Sequence, residues 1–233
     1  MTRRLKQLQS QVIDFFYPRV CLGCGKIGDF VCIRCENRLK RIYPPLCQRC
    51  GRPETSGTLC RECWSKQGNI DLIRSVFIFE GIIRDAVHAL KYNNLRAIAG
   101  RLGRFMAEYY TENKLAADIL LPVPLHESRM RQRGYNQSEL LAREVSSIIN
   151  VPVYTDPLVR IRNNRPQTHT ANAEERRSNV RDAFKCQEGR VEGKNIVLID
   201  DVCTTGATLE ACATALKAQR AGIVLGFTLA REI

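Results

Sequence analysis

Residues 196–209 read Ile196-Val197-Leu198-Ile199-Asp200-Asp201-Val202-Cys203-Thr204-Thr205-Gly206-Ala207-Thr208-Leu209. Four β-branched or aliphatic residues in a row predict a buried strand, and two carboxylates stand at its C-terminal end. A Thr- and Gly-rich turn follows, and the apolar spacing after Thr208 predicts a helix. Open α/β sheets bind ligands at the carboxyl ends of their strands, where such a turn feeds a helix. The amides of a helix start, with nearby Thr hydroxyls, suit a phosphate, and Gly206 lets backbone approach it closely. Adjacent carboxylates accept hydrogen bonds in pairs, which suits vicinal hydroxyls or a cation. No G-x-x-x-x-G-K-[ST] loop is present, which argues against an ordinary nucleotide loop.

Working outward, Ser75–Phe79, Ile119–Val123, Val151–Tyr154, Asn195–Ile199 and Ile223–Ala230 read as strands. Ile82–Lys91, Ala97–Tyr110, Asn136–Ile149 and Thr208–Gln219 read as helices, with Asn136 and Glu139 spaced as a capping box. Strands alternating with helices predict an α/β fold built on a parallel sheet with helices on both faces. Residues 163–182, rich in Arg and Asn, read as a loop. After the second strand comes Leu121-Pro122-Val123-Pro124-Leu125-His126, then Arg129-Met-Arg131-Gln-Arg133-Gly134-Tyr-Asn136-Gln137. Arginine forks donate parallel hydrogen bonds to phosphate oxygens, so this run is read either as an anion site or as a solvated basic loop.

The other dense signal lies near the N-terminus. Cys21/Cys24, Cys32/Cys35, Cys47/Cys50 and Cys60/Cys63 form four C-x-x-C pairs. A C-x-x-C turn brings two thiolates onto one tetrahedral metal, and two pairs close a site. Two structural zinc sites are expected, paired sequentially or cross-braced, since the spacing permits both. A disulfide framework belongs to secreted chains, and the start MTRRLKQLQSQVIDFFYP lacks the apolar stretch of a signal peptide. No apolar run reaches the ~18 residues of a membrane span. Leu5, Leu8, Val12, Ile13 and Phe16 predict an amphipathic helix ended by Pro18. The expected organisation is therefore a helix over 1–18, a zinc-binding module over 19–66 and an α/β domain over 67–233. Cys186, Cys203 and Cys212 have no such partner and are expected to be buried as small apolar residues.

The chain has 36 Lys and Arg against 24 Asp and Glu, a net charge of +12. Residues 1–66 carry 13 of the basic and 5 of the acidic residues. Two tetrathiolate zinc centres would offset about four of those positive charges. The remainder points to anionic partners. Arg34, Arg38, Lys40, Arg41, Arg49, Arg52 and Arg61 interleave with Tyr43 and Trp64, a composition suited to single strands. Arg160, Arg162, Arg165, Arg176, Arg177 and Arg181 would extend such a groove, or form a solvated loop. His88, His126 and His169 read as satisfied or exposed side chains rather than bases.

The acid pair followed by Thr204-Thr205-Gly206-Ala207-Thr208 resembles the signature of the type I phosphoribosyltransferases, which bind phosphoribosyl pyrophosphate (PRPP). The C-x-x-C array, Ala89-Leu90-Lys91-Tyr92, Pro-Val-Pro, Arg133-Gly-Tyr-Asn-Gln137, Arg165-Pro-Gln167-Thr168, Glu175-Arg-Arg-Ser-Asn179 and the Asp200–Thr208 loop occur in one order. That order resembles the ComF competence protein family of the ComFC type, over nearly the whole chain. The resemblance implies a bacterial cytoplasmic protein serving natural transformation, with PRPP, Mg²⁺ and single-stranded DNA as ligands and the inner-membrane DNA uptake machinery as partner. It implies that Asp200 and Asp201 hold ribose and stabilise charge developing on it. Thr204, Thr205, Gly206, Ala207 and Thr208 would hold the 5′-phosphate, and Val123, Pro124, Arg133 and Lys91 the pyrophosphate. An active phosphoribosyltransferase of unknown acceptor is the alternative. With Ala230 only three residues from the end, its acceptor pocket is expected from residues 64–95 or the zinc module.

Overall fold

The computed structural model describes residues 18–65, 68–162 and 182–233. The expected N-terminal helix and the loop over 163–181, with Arg165, His169, Arg176, Arg177 and Arg181, lie outside the described residues. The elements in chain order are α1 (Ile33–Glu36), α2 (Arg61–Ser65), β1 (Leu72–Ile78), α3 (Gly81–Tyr92) and α4 (Ile98–Glu112). Then come β2 (Ile119–Pro122), α5 (Glu127–Arg133), α6 (Gln137–Ile149), β3 (Leu158–Arg160) and β4 (Phe184–Cys186). The last three are β5 (Ile196–Cys203), α7 (Ala207–Lys217) and β6 (Val224–Arg231).

β5 and β6 are apolar because they are covered on both faces, as central strands of a parallel sheet must be. The sheet runs β1-β6-β5-β2, and every pair is parallel. Successive side chains of β5 enter different cores. Val197 and Ile199 pack with α3, α4 and α6 through Leu90, Leu102, Phe105 and Leu141. Ile196 and Leu198 pack with Leu209, Cys212 and Leu216 of α7 and with Leu158 and Phe184 of the β3–β4 hairpin. The second face thus carries a helix and a small antiparallel hairpin, which the sequence reading did not anticipate. α4 lies close on α6, because Gly103 leaves room for Glu144 where a Cβ would come within 2.4 Å.

Three local expectations are corrected. Val151–Tyr154 is not a strand but a single parallel bridge, Leu120 to Val153, at the sheet's outer edge. The basic run 127–133 is helical, stopped by Gly134 in the left-handed region (φ 74°). Asn136 caps α6 through the Ser138 amide (3.0 Å), while Glu139 pairs with Arg143 at 2.6 Å instead of closing a capping box.

The cysteine-bearing segment packs directly onto the sheet. Its residues 40–42 line the free edge of β1: Ile42 N–H bonds Val76 O at 2.9 Å and Ile78 N–H bonds Lys40 O at 2.9 Å. This pairing covers an edge that would otherwise present open donors and acceptors. Cys21, Phe30, Val31 and Cys35 belong to the same core as α3 and α4. Arg101 of α4 reaches Glu36 at 2.5 Å and Asp29 at 3.4 Å. Cys186, Cys203 and Cys212 are buried, as expected.

Candidate functional site

The eight cysteines fall into two tight groups, Cys21/Cys24/Cys32/Cys35 and Cys47/Cys50/Cys60/Cys63, which is the sequential pairing. Within each, all four Sγ atoms lie within 4.8 Å of one another. Cys24 to Cys32 is 3.7 Å and Cys50 to Cys60 is 3.8 Å. A tetrahedron with Zn–S of about 2.3 Å has an edge of about 3.8 Å, whereas a disulfide needs about 2.05 Å. Backbone amides point at the sulfurs: Cys32 N–H to Cys21 Sγ at 3.4 Å and Cys60 N–H to Cys47 Sγ at 3.3 Å. Burial acts to raise the Cys21 and Cys47 thiols, but the surrounding amide donors outweigh it and hold each at about 6. Burial and the neighbouring thiols push Cys35 up to about 12. Donor set, spacing and charge all fit one zinc ion per group.

The second site lies at the C-terminal edge of the sheet. β5 runs on past Ile199 through Asp200 and Asp201 to Cys203, so both acids belong to the strand. Gly206 (φ 80°) turns the chain into α7, whose Glu210 N–H bonds Gly206 O at 2.9 Å. The Thr205 hydroxyl accepts from the Ala207 amide at 3.3 Å. Asp200, Val202, Cys203, Thr204, Gly206, Ala207 and Thr208 line one cleft.

Asp201 is nearly inaccessible and is met by Lys91 at 2.6 Å. Its Oδ1 accepts the Val202 amide at 2.8 Å. Asp200 Oδ1 accepts from the Ser138 hydroxyl at 2.8 Å and the Asp201 amide at 2.9 Å. Burial first, then the Asp201 charge, pushes the Asp200 carboxyl up to about 7, against the pull of Lys91, Ser138 and the Asp201 amide. A carboxyl raised above its unfolded value near 3.9 binds more protons when folded. Its contribution to stability therefore falls as pH rises from about 4 to about 7 and is flat above. Asp200→Asn is expected to stabilise the unliganded chain by about 2 kcal/mol at pH 8 and by little at pH 4. Thermal unfolding of both proteins at the two pH values measures this.

The remaining site residues converge through the start of α6. The Asn136 side-chain amide donates to Val123 O at 3.0 Å, Arg133 donates to Gln137 Oε1 at 2.6 Å, and Ser138 holds Asp200. Tyr135 donates to Leu90 O, fixing the end of α3 beside Lys91. Arg133 stacks over Tyr92 at 5.2 Å, the residue that follows Lys91 in α3. Lys91 itself is engaged with Asp201 rather than held open beside Val123 and Pro124. Arg160, on β3, stacks over Phe184 and feels the charges of Arg129 and Asp200. Burial first, then the Arg129 charge, lowers its pKa. His126 caps α5 through the Ser128 amide, and His88 packs on Tyr92. Ser138 and Tyr135 were missed by the sequence reading. Both flank Asn136-Gln137, but nothing local points to partners 62 and 45 residues away. Chemically, the edge offers paired carboxylates, amides at a helix start and a cluster of cations.

A parallel sheet with this acid pair, glycine turn and helix, edged by two four-cysteine groups, defines a phosphoribosyltransferase-type α/β protein with a zinc-ribbon module. Residues 12–66 match the double zinc ribbon domain and residues 136–231 the phosphoribosyl transferase domain. The chain is 33% identical to competence protein ComFC of Bacillus subtilis over 89% of its own length and 86% of that protein. It is 30% identical to the DNA utilization protein YhgH of Escherichia coli K12 over 92% and 95% of the two chains. The chain belongs to the ComF competence protein family. Among solved structures, glutamine PRPP amidotransferase from B. subtilis aligns with 57% of this chain at 21% identity and a TM-score of 0.39, and the chain spans only 26% of that protein's length.

Proposed function

We propose that the protein serves DNA uptake in the cytoplasm, binding PRPP with Mg²⁺ at the sheet edge and single-stranded DNA on its zinc ribbons, each ribbon holding one Zn²⁺. Its relatives carry competence and DNA-utilization names. The observation that carries the PRPP reading is the strand end itself: Asp200 and Asp201 beside the Gly206 turn that opens α7. The carboxylates would accept from ribose hydroxyls, and residues 204–208 would cradle the 5′-phosphate. Lys91, Val123, Pro124 and Arg133 would face the pyrophosphate, joined by Arg129 and Arg160. Residues 19–66 would be the metal and DNA unit and 67–233 the PRPP unit.

For DNA, Trp64 and Tyr43 stand 81% and 68% exposed, rings free to stack on bases. Exposed Arg34, Arg38 and Arg61 lie on the same module. Contact with the inner-membrane uptake machinery follows from the family reading. Among the described residues no helix is long and apolar enough to cross a membrane.

PRPP with Mg²⁺ is expected to raise the thermal midpoint by several degrees, and Asp200→Ala with Asp201→Ala to abolish the rise. An unchanged midpoint in the parent protein would sink the PRPP reading. DNA affinity should fall steeply with salt if phosphates are contacted. The second reading is an active phosphoribosyltransferase: Asp200 lies at the strand end among the cleft residues, and burial with the Asp201 charge pushes its carboxyl up to about 7, a range suited to taking a proton from an acceptor. Pyrophosphate release against a panel of bases and single-stranded DNA separates the two.

A further inference from the structure

Arg231 is almost completely buried (1% exposed) at the end of β6, and among the described residues it is the largest of the fully buried side chains. An isolated buried guanidinium is costly, so its partners matter. Its Nη1 donates to Cys50 O at 2.5 Å, inside the knuckle Cys47-Gln48-Arg49-Cys50-Gly51, and its Nε has no partner among the described residues. The Cys50 and Cys203 thiols both feel its charge. A tetrathiolate zinc centre carries a net charge of −2, and a guanidinium bonded to the Cys50 backbone brings an opposite charge to it.

The same knuckle touches the Gly206 turn by two more routes. Ile73 N–H bonds Arg49 O at 2.6 Å, and a Cβ on Gly51 would lie 2.3 Å from Ile73 O, so β1 and the knuckle fit backbone to backbone. The far end of Ile73 then lies 3.1 Å from where a Gly206 Cβ would be. Arg49 also stands 3.8 Å from Glu210 in the first turn of α7. Finally, Glu232 N–H bonds Cys203 O at 3.0 Å, joining the residue after Arg231 to the residue before Thr204. The second metal-binding knuckle thus connects to the 204–208 turn through Ile73, Glu210 and the Arg231–Glu232 backbone, whereas the first group packs on α3 and α4 instead.

We propose that Arg231 couples the second four-cysteine site to the 204–208 turn, so that zinc there and a phosphorylated ligand at the turn strengthen each other's binding. The proposal rests on the reading of that turn as the PRPP site. Linkage makes the effect reciprocal. The full chain, loaded with two zinc ions, is mixed with an excess of a colorimetric chelator, with and without PRPP and Mg²⁺, while calorimetry reports PRPP binding separately. PRPP is expected to slow release of one zinc equivalent about tenfold and leave the other unchanged. Arg101→Met, which loosens the first group, assigns the unaffected equivalent by speeding it. Arg231→Met is expected to speed the PRPP-sensitive equivalent and erase its response while calorimetric binding persists. Arg49→Gln, at the second route, is expected to weaken the response if Arg231→Met does not fold. Binding of PRPP with both release rates unchanged overturns the coupling. An absence of binding heat overturns the phosphate-site reading, and the coupling with it.

Discussion

Stripping zinc from both cysteine groups is expected to lower the thermal midpoint by at least about 10 °C, with recovery on re-addition of the metal. The reasoning starts from size. Residues 19–65 are too few to bury a sufficient core of their own, and segments of this kind derive much of their folding free energy from metal, about 10 kcal/mol or more per site. Here that loss would not stay local. Residues 40–42 cover the β1 edge through Ile42–Val76 and Ile78–Lys40 hydrogen bonds, and Cys21, Phe30, Val31 and Cys35 contribute to the core of α3 and α4. Even a few kcal/mol transmitted to the sheet moves the midpoint by about 10 °C in a chain of this length. Calorimetric scans before and after chelation, with Cys47→Ser as a single-site counterpart, measure it. A scan unaffected by chelation would mean the groups bind no structural metal.

Lys91→Met is expected to destabilise the protein by about 2–4 kcal/mol. Asp201 is 3% exposed and Lys91 meets it at 2.6 Å. Removing one member of a buried pair strands the other as an uncompensated charge, which costs more than the pair itself contributes. The retained 21% exposure of the Lys91 side chain places the effect below the full buried-pair range. Lys91→Met combined with Asp201→Asn is expected to recover most of the loss, because the neutral amide no longer needs the cation. Denaturant titration of the two singles and the double gives the coupling energy. A double variant no more stable than Lys91→Met alone would show that the pair acts through shape rather than charge. Under the PRPP reading, binding is expected to be lost in the double variant despite its restored stability, because both side chains belong to the proposed ligand site.

Much of the fold was legible because its signals are local. The apolar run 196–199, its two acids and the Gly206 turn announce a strand, a ligand edge and a helix within fourteen residues. The misreadings have a common cause. At Val151–Tyr154 the residues suit a strand, but the segment meets the β2 edge only at Val153 opposite Leu120, so one bridge forms. At 127–133 the arginines look like a loop, yet His126 and Gly134 cap a two-turn helix around them. Glu139 found Arg143 one turn on, a charge pair that outcompetes the capping box. In each case a neighbour decided what propensity left balanced.

Sequence alone determined that eight cysteines carry the C-x-x-C spacing of metal ligands and that an acid pair and glycine turn would stand at a strand's end, since both depend on spacings of a few residues. It also showed an excess of positive charge, concentrated in residues 1–66. Tertiary structure decided that the cysteines pair sequentially, that Ser138 and Lys91 hold the two acids, and that Arg231 reaches Cys50 across 181 residues of chain. Those contacts follow from how the sheet stacks and which edge the ribbons cover. Side chains so far apart in sequence meet only where packing of the whole core brings them together.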